Sequence, residues 1–157
     1  MEADLEEKKE NRIFLRRATM EDAEDLLRWR NDETTRANSF TKDVIDLDSH
    51  KKWLSKKLSQ SDCHLFVMMD GDEKVGNIRV DVEGDVGEIS YMIAPKKRGR
   101  GYGKKIIALV EKEMPAEVKT LIGLTLKDNK VSGRCFLANG YTASDAEDAL
   151  CYSKGIN

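Results

Sequence analysis

A basic, glycine-rich hexapeptide is the part of this sequence best suited to chemistry. It consists of Arg98, Gly99, Arg100, Gly101, Tyr102 and Gly103. Six of the ten residues over 96–105 are Lys or Arg. Glycines let backbone amides approach a ligand closely, and a helix that starts here presents unpaired N–H groups and the positive end of its dipole. The hexapeptide therefore predicts an anion site, with a phosphate as the anion.

The residues around the hexapeptide fit a strand, a loop and a helix in succession. Polar and apolar residues alternate over 88–93, and Ala94-Pro95 ends the run. Apolar residues then recur at helical spacing from Ile106 to Met114. A Walker loop would end in Gly-Lys-Ser/Thr and a dinucleotide loop would read G-x-G-x-x-G, and the hexapeptide matches neither. The alternative is a basic surface turn that binds nothing.

The loop does fit the pattern R/Q-x-x-G-x-G/A, with Arg98, Gly101 and Gly103 in its three defined places. In this it resembles the acetyl-CoA pyrophosphate loop of the GNAT superfamily of N-acetyltransferases. The resemblance implies that the amides of residues 98–103 hold the pyrophosphate. Positive charge would come from Arg98, Arg100 and Lys104.

The strand before the loop completes the coenzyme site that the resemblance implies. Met92, Ile93 and Ala94 would offer backbone groups to the pantetheine arm. A main-chain N–H near Ile93 would stabilise the oxyanion of the reaction, which needs no special side chain. For the Tyr102 side chain, packing at the start of the helix is an equal alternative to coenzyme contact.

A second signature reads Asn129-x-x-Ser132-x-x-x-Phe136, followed by Gly140-Tyr141. These offsets place Asn129, Ser132 and Phe136 on one face of a helix. The segment resembles the second coenzyme-binding helix of GNAT enzymes, in which the Asn bonds the pantetheine arm. Many family members carry a Tyr at the position of Phe136 that protonates the departing thiolate, which Phe cannot do. Ser132 is then the candidate donor to the sulfur, and a helix cap with core packing is the alternative reading.

A base is needed because an aliphatic amine is mostly protonated at neutral pH and must be neutral to attack. Glu88 is the first choice, since it shares a strand face with Ser90 and Met92 on the way to the coenzyme. The alternative is that Glu88 is only a cross-strand partner of Arg79. Asp81 is a weaker second choice.

The acceptor site is assigned to segments that resemble the acetyltransferases of nucleotide-linked amino sugars, as in pseudaminic acid pathways. Arg and aromatic side chains suit phosphate recognition and base or sugar stacking. The candidate substrate-binding residues are Arg30, Asn31, Phe40 and Arg79. The alternative is that Trp29 and Trp53, which lie in the same segments, are core residues and that the Arg side chains are solvated.

The pattern of apolar residues predicts the elements that must position these groups. Strands are expected at 12–17, 65–69, 74–82, 88–93, 118–126, 141–143 and 150–153. Helices are expected at about 20–31, 49–58 and 129–137, with a further helix after the loop that includes Ile106 to Met114. This order resembles the GNAT fold from about Arg12 onward. It predicts an α/β fold: one domain with a mixed, mostly antiparallel sheet and helices on both faces. Residues 1–11 are expected to be a charged N-terminal tail and 12–157 an N-acetyltransferase domain.

Composition and net charge indicate which kinds of ligand the chain is expected to bind. The chain has 157 residues and a net charge of −2, which favours a small phosphorylated ligand over nucleic acid. It has no apolar run long enough to span a bilayer, so no membrane contact is expected. Three widely spaced cysteines without a CxxC fit a reducing cytoplasm and no metal site.

Together these features predict an N-acetyltransferase that moves the acetyl group of acetyl-CoA, its co-substrate, directly to a primary amine. The preferred acceptor is a small molecule, a nucleotide-linked amino sugar. One alternative is a protein N-terminal acetyltransferase of the ribosomal-protein type. Another is a catalytically silent module that binds acyl-CoA. The oligomeric state stays open, with a homodimer as one alternative.

Overall fold

Seven strands form one sheet in the order β1-β2-β3-β4-β5-β7-β6, in a computed structural model that describes residues 12–157. The strands are β1 Ile13–Arg17, β2 Cys63–Asp70, β3 Glu73–Glu83, β4 Val86–Ile93, β5 Thr120–Leu126, β6 Thr142–Ala146 and β7 Ala149–Gly155. Every neighbouring pair is antiparallel except β4 and β5. The fold class predicted from the sequence is confirmed. The expected tail at 1–11 lies outside the described residues.

Within residues 12–157, five α-helices lie between the strands. They are α1 Ala23–Arg30, α2 Glu33–Ala37, α3 Leu47–Ser59, α4 Tyr102–Glu113 and α5 Lys130–Ala138. A capping box between Thr19 and Asp22 starts the first helical segment, as this Thr-x-x-Asp spacing predicts. The short α2 lies inside the polar stretch 31–45. No helix in the described part, 12–157, combines the length and apolar character that a membrane crossing requires.

The helices cover opposite faces of the sheet and bury two apolar clusters. The larger cluster joins α4 and α5 to one face through residues such as Ile78, Ile106 and Phe136. The smaller cluster contains Leu54 from α3 and Trp29 from α1, which is only 4% exposed. Trp29 is therefore a core residue, in line with the alternative reading of the sequence.

The parallel pair β4 and β5 separates before either strand ends. Pairing runs from Val86 opposite Thr120 to Ile89 opposite Gly123 and then stops. Strand β4 continues to Ile93, and β5 continues to Leu126 while still paired with β7. The separation leaves a slot between the two strands, at the end of β4 that leads into the basic loop.

Candidate functional site

The β4 side of the slot presents backbone groups that the sheet leaves free. The Ala94 N–H donates to the Val75 carbonyl at 2.8 Å, so these two residues form a hydrogen-bonded pair of the β3–β4 ladder. Hydrogen-bonded and non-hydrogen-bonded pairs alternate along an antiparallel ladder. The backbone N–H and C=O of Met92 therefore also point toward β3, whereas those of Ile93 point into the slot. Of the three residues expected to offer backbone groups, only Ile93 does so, and the expectation is corrected for Met92 and Ala94.

The β5 side of the slot has matching free groups. The Ile156 N–H donates to the Lys119 carbonyl at 2.9 Å, which sets the alternation between β5 and β7. The same alternation points the Leu124 carbonyl and the Leu126 N–H toward β4, whereas the Leu126 carbonyl accepts from the Asn129 N–H at 3.0 Å. A slot lined by unpaired backbone groups on both sides suits an extended chain that itself contains amides.

The loop that follows β4 forms an anion site of backbone amides. Gly99 and Gly101 have φ of 76° and 81°, in the left-handed region, and a Cβ on either would meet no atom within 4 Å. Gly101 is the N-cap of α4 and provides no side-chain cap. The first helical amide to bond is that of Lys105, to the Gly101 carbonyl at 3.3 Å. The amides of residues 102–104 are therefore directed at solvent from the positive end of the helix.

The charged side chains of the loop are only partly available to a ligand. Arg98 donates to Asp32 at 2.7 Å and to Thr35 at 2.8 Å, and its bond holds the pKa of Asp32 below the usual value. Arg100 and Lys104 are exposed and form no ion pair within residues 12–157. In this structure Arg98 therefore ties the loop to α2, whereas Arg100 and Lys104 are the free cations.

Tyr102 and Gly103 serve packing at the start of α4. The Tyr102 hydroxyl donates to Asp70, and its ring packs against the larger apolar cluster. A Cβ on Gly103 would lie 2.9 Å from the Cys135 sulfur, so glycine lets α4 approach α5 closely here. The side chain of Tyr102 thus has the packing role that the sequence left open, and its backbone amide belongs to the anion site.

The N-terminus of α5 lies beside the slot and brings Ser132 to it. Asn129 is the N-cap, and its side-chain oxygen accepts from the Ser132 N–H at 3.4 Å. The Ser132 hydroxyl is half-buried and 2.9 Å from the Tyr91 hydroxyl. Tyr91 was not among the predicted site residues, although strand alternation places it on the face opposite Ser90 and Met92, toward α5.

Phe136 does not line the site, which corrects its assignment as a coenzyme contact. Its ring is 2% exposed and lies within 5.1–6.0 Å of the rings of Tyr91, Tyr141 and Tyr152. A Cβ on Gly123 would come within 2.2 Å of the Phe136 ring. Phe136 therefore packs directly against the β5 backbone on the face of the sheet that α5 covers.

Glu88 lies on β4 just before the slot, on the same face as Ser90 and Met92. Its register partner on β3 is Asp81, and it lines a depression of ≈ 700 Å³ together with Lys57, Asp62 and Ile122. Glu88 forms no hydrogen bond or ion pair within the described range 12–157. Its carboxylate is therefore free to interact with a substrate amine.

Asp81, the second candidate for the base, is already paired with two cationic side chains. Burial alone would raise its pKa, but hydrogen bonds from Lys57 at 2.9 Å and Arg79 at 2.7 Å hold that pKa below the usual value. The pairing of Arg79 with Asp81 also means that the alternative considered for Glu88, an ion pair with Arg79, does not form.

The four candidate acceptor-binding residues lie in two separate parts of the structure. Arg30 donates to the Thr41 carbonyl at 2.7 Å, and the Asn31 amide bonds both backbone groups of Ile45 at 2.8 and 2.9 Å. These two residues hold the loop between α2 and α3, on which Phe40 is 58% exposed. Arg30 and Asn31 thus shape this loop, with both polar atoms of the Asn31 amide engaged, whereas the buried Arg30 Nη1 has no hydrogen-bond partner within residues 12–157.

Arg79 occupies a different place, against α3. Its guanidinium lies 5.0 Å from the centre of the Trp53 ring and donates to the Ser90 hydroxyl at 3.3 Å. Trp53 is 36% exposed and stacks on His50. Arg79 and Trp53 thus form a cation–aromatic surface on the β3 side of Ser90, with Asp81 paired to the guanidinium.

A second depression, of ≈ 730 Å³, lies between α1 and the segment 94–97. Both signs of charge line it, with Asp25, Asp32 and Glu73 facing Arg28 and Lys74. In the described part of the chain, no group of three His, Cys, Asp or Glu side chains is arranged to hold a metal ion.

Comparison with known proteins identifies a family and a shared fold. The family profile described as an acetyltransferase (GNAT) domain matches residues 12–142. Spermidine N-acetyltransferase from Vibrio cholerae, solved with CoA and spermine, superposes with a TM-score of 0.86 at 13% identity, covering 93% of this chain and 96% of that one.

Two further solved structures have the same fold. The Salmonella typhimurium acetyltransferase that modifies the N-terminal serine of ribosomal protein L7/L12 gives a TM-score of 0.80 at 13% identity, covering 92% and 95% of the two chains. The microcin C7 self-immunity acetyltransferase MccE, solved with acetyl-CoA and AMP, gives 0.78 at 18% identity, covering 92% and 93%. At such identities these likenesses establish the fold alone.

Proposed function

The chain belongs to the GNAT acetyltransferase family and is an acetyltransferase, and from that premise we propose that it transfers the acetyl group of acetyl-CoA directly to a primary amine. The observation that carries this proposal is the continuity of the β4–β5 slot with the amides of the α4 N-terminus. The slot suits the amide-containing pantetheine arm and the amides suit the pyrophosphate. Arg100 and Lys104 add exposed positive charge beside it.

The residues around the slot have distinct proposed roles. Acetyl-CoA supplies the reactive thioester. The Ile93 N–H points into the slot and stabilises negative charge as it develops on the carbonyl oxygen. Glu88 accepts the proton that the amine must lose, directly or through water. Ser132 donates a hydrogen bond to the sulfur as the thiolate departs.

For the acceptor we propose a nucleotide-linked amino sugar. The Arg79–Trp53 surface beside Ser90 combines a guanidinium, which also pairs with Asp81, and an aromatic ring, a combination that suits a phosphate and a base or sugar. The proposal is supported by the structurally similar MccE, which was solved with AMP as well as acetyl-CoA. The second candidate is a protein N-terminus, the acceptor of the Salmonella relative. The cytoplasm is the proposed location.

The acceptor proposal predicts a selective effect of Arg79→Gln. We expect this change to raise KM for the amino-sugar acceptor about tenfold, the scale of one charge-assisted hydrogen bond, with KM for acetyl-CoA nearly unchanged. The measurement is steady-state release of the CoA thiol. Arg17→Gln, which removes an exposed cation from the distant strand β1, is the matched control and should leave both KM values unchanged.

Inhibition separates the acceptor classes. A nucleoside diphosphate should compete with the acceptor and not with acetyl-CoA. If it does not inhibit while peptides with free N-termini are acetylated, the acceptor is a protein N-terminus. If acetyl-CoA binds and no amine of either class releases the thiol, the direct-transfer proposal fails.

A further inference from the structure

The Tyr91 side chain lies beneath the slot, where β4, α4 and α5 meet. Its ring packs edge-on against Phe136, with centroids 6.0 Å apart, and its hydroxyl is 2.9 Å from the Ser132 hydroxyl. A Cβ on Gly103 would lie 3.6 Å from the Tyr91 hydroxyl. Because glycine occupies that position, the three elements close around this pair of hydroxyl groups.

The hydrogen bond between the two hydroxyls can run in either direction, and the direction decides what Ser132 can do. If Ser132 donates to Tyr91, its only hydrogen is used and it cannot donate to a departing sulfur. If Tyr91 donates, the Ser132 hydrogen is free to point toward the slot. Because Phe136 has no hydroxyl, Ser132 and Tyr91 provide the hydroxyl pair at this point.

The surroundings of Tyr91 favour a phenol that keeps its proton. Burial is the main cause that raises its pKa, and the nearby Cys135 thiol raises it further, against a smaller opposite effect of Ser132. A buried phenolate would be costly because its charge is desolvated. Tyr91 therefore stays protonated at neutral pH and can donate a hydrogen bond to Ser132.

We propose that Tyr91 is a positioning residue that donates its hydroxyl hydrogen to the Ser132 oxygen and so aims the Ser132 hydrogen at the coenzyme sulfur. The inference rests on the proposed function. In the transfer step the amine nitrogen bonds the acetyl carbon, the carbon–sulfur bond breaks, and its electron pair stays on sulfur. Glu88 takes the amine proton, which finally reaches the thiol through solvent, and Tyr91 keeps its own proton throughout.

The test measures the pKa of the CoA thiol in its complex with the enzyme, from thiolate ultraviolet absorbance with the free protein subtracted. This readout requires neither an acceptor nor turnover. A Ser132 hydrogen bond to sulfur stabilises the thiolate, so the bound thiol should be more acidic than free CoA. Both Ser132→Ala and Tyr91→Phe should raise that pKa toward the free value, whereas a purely structural role for Tyr91 would leave it unchanged.

Turnover gives the second readout. Tyr91→Phe should lower kcat roughly three- to tenfold, the scale of one hydrogen bond, with little change in KM for acetyl-CoA. The double variant should be no slower than Ser132→Ala, because Tyr91 acts through Ser132. Tyr141→Phe removes another buried hydroxyl from the aromatic cluster around Phe136 and should leave the thiol pKa and kcat as in the wild type.

Each other outcome overturns a defined part of the account. If Tyr91→Phe binds CoA with wild-type thiol pKa and kcat while Ser132→Ala changes both, the Tyr91 role is wrong and the proposed function stands. If the free-energy effects of the two substitutions on kcat add fully in the double variant, Tyr91 does not act through Ser132. If the wild-type protein does not bind CoA at all, the proposed function fails and the inference fails with it.

Discussion

Gly101→Val is expected to abolish acetyl-CoA binding while the protein remains folded. A β-branched residue is strained at φ 81°, by roughly 1–2 kcal/mol, and it adds bulk where the pyrophosphate must approach the loop. No protein atom lies within 4 Å of the added Cβ, so the core is not disturbed. We expect calorimetry to show an affinity loss of about 100-fold or more, since several bonds of roughly 1.5–3 kcal/mol are lost together.

Gly84→Val is the matched control for this prediction. Gly84 also has a positive φ, of 64°, and open space around its Cβ, but it lies in the turn between β3 and β4. It should show similar backbone strain in thermal unfolding and unchanged acetyl-CoA affinity. Equal affinities for Gly101→Val and the wild type would exclude the loop as the pyrophosphate site.

Ser132→Ala is expected to lower kcat by about 100-fold, the scale of removing one hydrogen-bond donor to charge that develops in the transition state. KM for acetyl-CoA should change little, because the bond to sulfur strengthens only as the thiolate forms. The helix cap survives the change, since Asn129 accepts from the Ser132 backbone N–H. The measurement is amine-dependent thiol release at saturating substrates.

Ser144→Ala removes an exposed hydroxyl from β6 and should keep wild-type kcat. If Ser132→Ala also keeps wild-type kcat, the departing sulfur needs no help from this hydroxyl. A rise in KM with constant kcat would instead make Ser132 a binding residue.

Local patterns in the sequence predicted the elements of the site well. The alternation over 88–93 placed Glu88, Ser90 and Met92 on one face of β4, and the glycine loop marked the start of α4. The same alternation placed Tyr91 on the opposite face. Its partner Ser132 lies 41 residues away, and only the packing of α5 on β4 brings the two hydroxyls together.

Contacts between residues far apart in the sequence explain why the structure differs from some of the predicted site assignments. Which residues of 92–94 face the slot depends on the β3–β4 register, fixed by the Val75–Ala94 hydrogen bond. Arg98 meets Asp32 across 66 residues, and Asn31 bonds Ile45 in a loop with no periodic pattern. Hydrophobic periodicity carries no information about such partners.

The most direct test of the central claim is the change in backbone amide resonances when acetyl-CoA is added to the ¹⁵N-labelled protein. We expect the largest shifts at Tyr102, Gly103 and Lys104 from the pyrophosphate, and at Ile93 from the acetyl and pantetheine groups. Gly84 should not shift. Shifts confined to the depression between α1 and residues 94–97, with those four amides unchanged, would contradict the claim that the slot and loop hold acetyl-CoA.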